Sequence, residues 1–359
     1  MKPAVLWRGG SLVALVAVAA AVPLLNNPLV TNVGVFVLMY VGSAVAWNIF
    51  SGFTGYISLG AAVFFGTGVY TTALLTEHLK LNGGAVFATY PLGGLAAAVI
   101  AVPFGLIALR VRRHTFVVVT IAFFFIFQLM AYDFSWTGGT LGILGPIVNW
   151  DPNTFYNPFY YTALIVAVGS AVLAWAIWGS RFGLQLRAIR DDEDRARGLG
   201  VKTMRVKLTA FVISAFPMGI LGGLYFFLQG QALPEYAFNP FYDLTLALMS
   251  FLGGFGTLSG PIFGALLLEP YLGYAQYQVT NAYVAEVVLG ALFLAVIIFL
   301  PRGILPTVGE KFTSWRVAWV RRSAGAQAAP AEPAGASPAA DAVKTGAAGS
   351  GAPGGGSQR

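Results

Sequence analysis

SRFGLQLRAIRDDEDRARGLGVKTMRVK, Ser180 to Lys207, is the most charged stretch of the chain and lies between two apolar runs, 159–179 and 206–229. It holds eight bases, from Arg181 to Lys207, and the acids Asp191, Asp192, Glu193 and Asp194. The chain as a whole is apolar, with 57% hydrophobic and 10% charged residues, where a soluble domain carries about 25% charged. About 20 apolar residues cross roughly 30 Å of hydrocarbon. Outward from the loop, runs of that kind fall at 11–28, 31–51, 56–76, 91–109, 115–132, 242–258, 261–278 and 284–301. With the N-terminus inside, every Lys and Arg except Lys80 faces inward: Lys2 and Arg8, then Arg110, Arg112 and Arg113, then the loop, then the bases from Arg302 onward. The acids Glu77, Asp133, Asp151, Glu235, Asp243 and Glu286 fall in or beside outer loops. Lys/Arg bias sets orientation. The expected fold is therefore all-α: a polytopic helical membrane protein of about ten spans, N-in and C-in, in the plasma or inner cell membrane.

The net charge of +7 belongs to bases bordering apolar runs, which points to anionic lipid and topology rather than nucleic acid. Cysteine is absent and the two histidines, His78 and His114, lie on opposite sides. No thiolate chemistry, His-based metal cluster or catalytic triad follows, and no metal site is expected. Lys2 and Arg8 before an Ala/Val/Leu run also resemble a signal peptide, but the run continues through Pro23 to Leu29, which suits a retained helix. A single transmembrane domain is expected over 1–305. Trp315 and Trp319, among Lys311, Arg316, Arg321 and Arg322, suggest a juxtamembrane interfacial segment over 306–322. The Ala/Gly/Pro/Ser-rich stretch 323–359 lacks the apolar surface to offset ordering and reads as a disordered inner tail.

Two glycine clusters stand out. Gly52, Gly55 and Gly60 precede one run; Gly253, Gly254, Gly256 and Gly260 precede another. Gly-rich breaks in corresponding positions are how pseudo-symmetric halves with broken helices look in sequence; simple tight turns between neighbouring helices would look the same. Glu269, followed by Pro270, is the one acid read as deep within a span. A coupled ion carrier needs more than a lone acid. No Gly-x-x-x-x-Gly-Lys-Ser/Thr phosphate loop occurs, so the chain is expected to hydrolyse no ATP and to be no enzyme.

Within the quoted loop, modest apolar positions (Leu184, Leu186, Ile189, Ala196, Leu199) alternate with bases and acids, and Gly198 and Gly200 follow. This predicts a short charged helix over 187–199 that docks in a polar cleft of another protein. At this point the sequence resembles the permease subunits of ABC importers for branched-chain amino acids, a family that includes urea and short-amide permeases. The matching positions are Gly183, Arg187, Ala188, Ile189, Arg190, Asp191, Glu193, Ala196 and Gly200. Two further blocks match: GFTGYISLGAAVFFGTGVY from Gly52 and LGGFGTLSGPIFGA from Leu252. One departs: relatives commonly carry Arg-Gly-x-Tyr-Phe where this chain has Arg112, Arg113, His114, Thr115 and Phe116.

The resemblance implies a pathway between this subunit and a second permease, homologous or identical. It implies two ATPase subunits, which use ATP and Mg, and an extracytoplasmic substrate-binding protein, with no cofactor bound by this chain. Coupling to the ATPases would run through Arg187, Ala188, Arg190, Asp191, Glu193, Ala196 and Gly200. Asn48, Ser58, Thr120 and Gln128 are candidates to line the substrate pathway, against the alternative of hydrogen bonds between helices. The outer loop 133–158 is the candidate for meeting the binding protein. A urea or short-amide permease and an ion-coupled secondary transporter are the alternatives.

Overall fold

Asn27 opens the first long helix: its side chain accepts from the backbone N–H of Leu29 (3.1 Å) and Val30 (3.4 Å), and Pro28 takes the first helical position, where no N–H is needed. The structure, a computed structural model, describes residues 16–146, 148–278, 287, 288, 290–292, 294, 295, 298, 303 and 304. Helix α1 is Pro28–Trp47 and continues as a π turn over Asn48–Gly52. The others are α2 Ala61–His78, α3 Tyr90–Ala108, α4 Arg113–Asp133, α5 Asn157–Gly179, α6 Arg181–Asp191, α7 Glu193–Gly198, α8 Thr203–Gln229, α9 Pro234–Ala237, α10 Pro240–Gly253 and α11 Gly260–Gln278. Two-residue strands β1 (Ile143–Leu144) and β2 (Gln231–Ala232) pair antiparallel and clip two loops together, a small departure from an all-helical chain.

Among the described residues, five segments are long and apolar enough to cross a membrane: Pro28–Gly52, Gly83–Ala108, Arg113–Asp133, Asn157–Gly179 and Thr203–Gln229. They coincide with five of the expected runs, and the chain is a predominantly helical, polytopic membrane protein. The run expected over 56–76 begins as helix only at Ala61, because 55–60 is non-helical. That expected over 242–258 stops at Gly253, where Gly254 takes φ 133. In the 11–28 run, helix gives way to a 3-10 turn at Val22–Leu25, closed by Asn26 at φ 48. The 284–301 run falls largely, and the 306–322 and 323–359 segments wholly, outside the described residues.

Helix α8 packs against α1, α2, α3 and α5 and is the hub of the buried core. Its approach to α2 depends on glycine: a Cβ on Gly68 would lie 1.9 Å from the Gly219 carbonyl oxygen. In lipid, where hydrocarbon competes equally for apolar side chains, such backbone contact drives helix association. The outward faces carry large apolar groups, among them Val99 on α3, Val118 and Leu129 on α4 and Ile165 on α5.

Candidate functional site

Charged residues gather where α5 turns into α6. Ser180 makes that corner: its hydroxyl donates to the Ile177 carbonyl (2.7 Å) and accepts from the Gly183 N–H (3.1 Å). Gly183 is required there, since a Cβ would sit 2.1 Å from the Ile177 oxygen. Leu186 and Ile189 bury one face of α6, and Arg187 stacks over the Trp178 ring at 4.2 Å.

The single helix expected over 187–199 is in fact two. Asp192 leaves the helical region (φ −157, ψ 111) and its carboxylate accepts from the Arg195 N–H at 3.0 Å, which starts α7. Four consecutive acids explain the break. Carboxylates oppose the negative end of a helix and favour the positive start of one, and Asp is among the best N-caps. That hydrogen bond also holds the Asp192 carboxyl below its usual pKa. Gly198 ends α7 and Gly200 follows at φ 86.

Three side chains tie this pair of helices to the rest of the molecule. Arg190 reaches Phe255, with its Nη2 3.4 Å from the carbonyl oxygen and its guanidinium carbon 5.2 Å from the ring centroid. Gly256 gives it room, for at φ 73 a Cβ would come within 1.8 Å of Arg190 Nη1. Glu193 accepts from Lys207 Nζ at 2.7 Å and from the Tyr56 hydroxyl, while Lys207 Nζ also lies 3.1 Å from that hydroxyl. Burial pushes the Glu193 carboxyl up, but the Lys207 ammonium and the Tyr56 hydroxyl outweigh it and hold the group below its ordinary value. Arg113, first residue of α4, donates through Nη2 to the carbonyls of Ile189 (2.7 Å) and Arg190 (2.6 Å). These oxygens would have paired with Glu193 and Asp194 had the helix continued; the break frees them.

Between the α3–α4 turn and α6–α7 lies an open cleft of about 610 Å³, with Arg110, Arg112 and His114 on one wall and Asp191 and Asp194 on the other. The residues read as a coupling motif divide accordingly. Arg190, Glu193 and Ala196 turn inward to protein partners or the core. Arg187 and Ala188 are half-buried, and Asp191 and Gly200 are exposed. Leu199 stands 85% exposed at the tip, beside exposed Arg195 and Asp194, so the outward face of the motif is not its most patterned part.

The two glycine breaks meet. Asn48 Nδ2 donates to the Thr257 carbonyl (2.8 Å) and Asn48 Oδ1 accepts from the Gly256 N–H (3.0 Å). A Cβ on Gly52 would strike Asn48 Oδ1 at 1.8 Å, and one on Gly253 the Gly260 oxygen at 1.7 Å. Gly55, at φ 73, lies under Arg190, and Gly60 packs against the Thr120 carbonyl. Ser58 accepts through its carbonyl from Trp47 Nε1 (2.9 Å), and its buried hydroxyl has no protein partner. Thr120 Oγ1 accepts from the Leu59 N–H (3.1 Å), and Gln128 Nε2 donates to the Phe238 carbonyl (2.8 Å). Asn48, Ser58 and Thr120 thus gather around the breaks, while Gln128 stands apart.

Asp243 was not legible as a buried group. It is 2% exposed, and its Oδ1 accepts from the N–H groups of Ala61 (2.7 Å) and Ala62 (3.1 Å), capping α2 from 182 and 181 residues away. Gly60 offers no side-chain cap, so the missing cap of α2 was the available signal. Glu269 is 8% exposed on α11.

A bundle of apolar helices with a charged, internally braced helix pair on one side defines a polytopic membrane protein. The model of the family described as "branched-chain amino acid transport system / permease component" matches residues 29–297, and the chain belongs to that family. It is similar to the high-affinity branched-chain amino acid transport system permease protein LivM of Escherichia coli (strain K12), 29% identical over 328 residues, covering 82% of this chain and 74% of that protein. LivM of Salmonella typhimurium gives the same figures. A shorter match is to the autoinducer 2 import system permease protein LsrC of Yersinia pseudotuberculosis serotype O:1b, 28% identical over 148 residues, 40% of this chain and 41% of that protein. No solved structure matches the chain significantly. The chain is a transmembrane permease of an ABC import system, one component among several.

Proposed function

We propose that the chain carries branched-chain amino acids inward across the plasma or inner membrane, in a complex with a second permease, two ATPase subunits and an extracytoplasmic binding protein. About ten spans, N-in and C-in and in two pseudo-symmetric halves, best accommodate the distribution of its bases and its paired glycine breaks. ATP and Mg serve the partner subunits, and this chain catalyses no reaction. The observation that carries the reading is the bracing of α6–α7. Glu193 holds Tyr56 of the first break and Lys207 of α8, and Arg190 holds Phe255 of the second break. A partner gripping the exposed tip (Asp194, Arg195, Leu199) would therefore move both breaks together, a rigid-body switch of the kind that opens and closes a path.

The LivM relatives favour a branched-chain amino acid over urea or an amide, by the substrate in their printed names. The test is uptake of labelled leucine into vesicles holding the purified complex. Uptake should need internal ATP, the ATPase subunits and the external binding protein. Leucine uptake by this chain alone under an ion gradient would overturn the reading and favour a secondary carrier.

A further inference from the structure

Of the five spans among the described residues long and apolar enough to cross a membrane, α4 is held least. Only 22% of its apolar window is buried, against 67% for α8. Its buried residues, Phe116, Thr120, Phe124 and Ala131, form one narrow stripe. A helix held so loosely is the one whose position is most open to being set by a directed tie at its end. Arg113 is such a tie, and its geometry follows from the break at Asp192. Because α6 stops at Asp191, the carbonyls of Ile189 and Arg190 are left without helical donors at the negative end of the helix dipole. One guanidinium nitrogen takes both, at 2.7 and 2.6 Å. Higher up, Thr120 of the same span accepts from Leu59 in the first break. A displacement of α6 is thus passed to the inner end of α4 and along a stiff helix to the break.

We propose that Arg113 is a positioning residue for transport: it makes the inner end of α4 move as one body with α6–α7, so that ATP-driven displacement of the inner helices tilts α4. The proposal rests on the coupling role of α6–α7 given above. A charged donor shared by two carbonyls is suited to this, since guanidinium hydrogen bonds are stronger than neutral ones and fixed in direction.

The chain has no cysteine, so paired labels can be placed without background. In the full complex, Arg113→Ala should leave assembly and ATP hydrolysis near wild type while leucine transported per ATP falls about tenfold, within the usual range of coupling between sites. Arg113→Lys, which keeps the charge and can still donate, should recover part of it. Lys202→Ala, removing an exposed inner base, should change neither. Spin labels at His114→Cys and Leu184→Cys, both exposed and the second within α6, should keep a constant separation on ATP binding while Arg113 is present and lose that constancy in Arg113→Ala. A normal transport-to-ATP ratio in Arg113→Ala, or a proportional fall of transport and hydrolysis, overturns the proposal. Should that variant fail to assemble, a separation that changes on ATP binding in the complex retaining Arg113 overturns it instead. If the complex with native Arg113 shows no ATP-dependent uptake, the coupling reading itself has failed.

Discussion

The ammonium of Lys207 lies 2.7 Å from a carboxylate oxygen of Glu193, and the two side chains are 4% and 17% exposed. Tyr56 closes the group from the first glycine break, its hydroxyl donating to Glu193 and its ring centroid 4.3 Å from Lys207 Nζ. The first glycine break, α7 and the start of α8 are therefore held by one mostly dry cluster.

Removing one partner of that pair should destabilise more than removing both. Lys207→Met or Glu193→Gln alone strands a buried polar group and should cost about 3 kcal/mol, the lower end of the range for broken buried pairs because Glu193 keeps some solvent. The double variant should recover most of the loss. Thermal unfolding of the detergent-purified chain checks this, and a double-variant loss equal to the sum of the two single losses would exclude a coupled pair.

Acid should act through the same carboxyl. The folded protein holds Glu193 below its ordinary pKa, so the unfolded chain binds its proton first. The stabilisation is complete above the unfolded value of about 4.3 and fades as pH falls through the lower folded value. The stability gap between wild type and Glu193→Gln should therefore shrink below about pH 4 and stay level from pH 6 to 8, as read by unfolding midpoints across pH.

Gly256 and Gly230 share a left-handed backbone, φ 73 and 72, but only Gly256 has a neighbour where a Cβ would go. Gly230→Ala should cost the backbone strain alone, about 1–2 kcal/mol. Gly256→Ala should cost more, because it displaces the Arg190 guanidinium as well. Equal unfolding shifts for the two would show that Arg190 is free to move aside.

Leu199 is 85% exposed, so Leu199→Asp should leave the unfolding midpoint within about 0.5 kcal/mol of wild type. As the apolar tip of the docking face it should weaken ATPase association about tenfold or more. Co-purification and titration of the ATPase against the labelled chain would show this; undiminished binding would move the docking face elsewhere.

Helix positions were legible because lipid leaves little choice: each crossing needs about 20 apolar residues in one run. Pro28–Gly52 and Thr203–Gln229 follow from that rule. The end of α7 was legible from Gly198. Hidden were the features settled by distant partners. The late start of α2 at Ala61 depends on Asp243, and the inward turn of Arg190 depends on the space over Gly256. Asp192 could have been anticipated, since a run of acids is better suited to starting a helix than to continuing one. The alternation of charges masked it. That alternation also suggested charges that meet another protein, whereas Glu193 and Arg190 spend theirs inside this one.

The Asn48 amide, bonded at both ends to a segment that is 209 residues further on at Thr257, bears on how the molecule is made. While the chain is still leaving the ribosome, the first half can enter the bilayer but holds an amide with no mate in an environment without water. Its corner sets only when the second half arrives, so a protein truncated before Gly256 should be kept by insertion chaperones or cleared by membrane proteases.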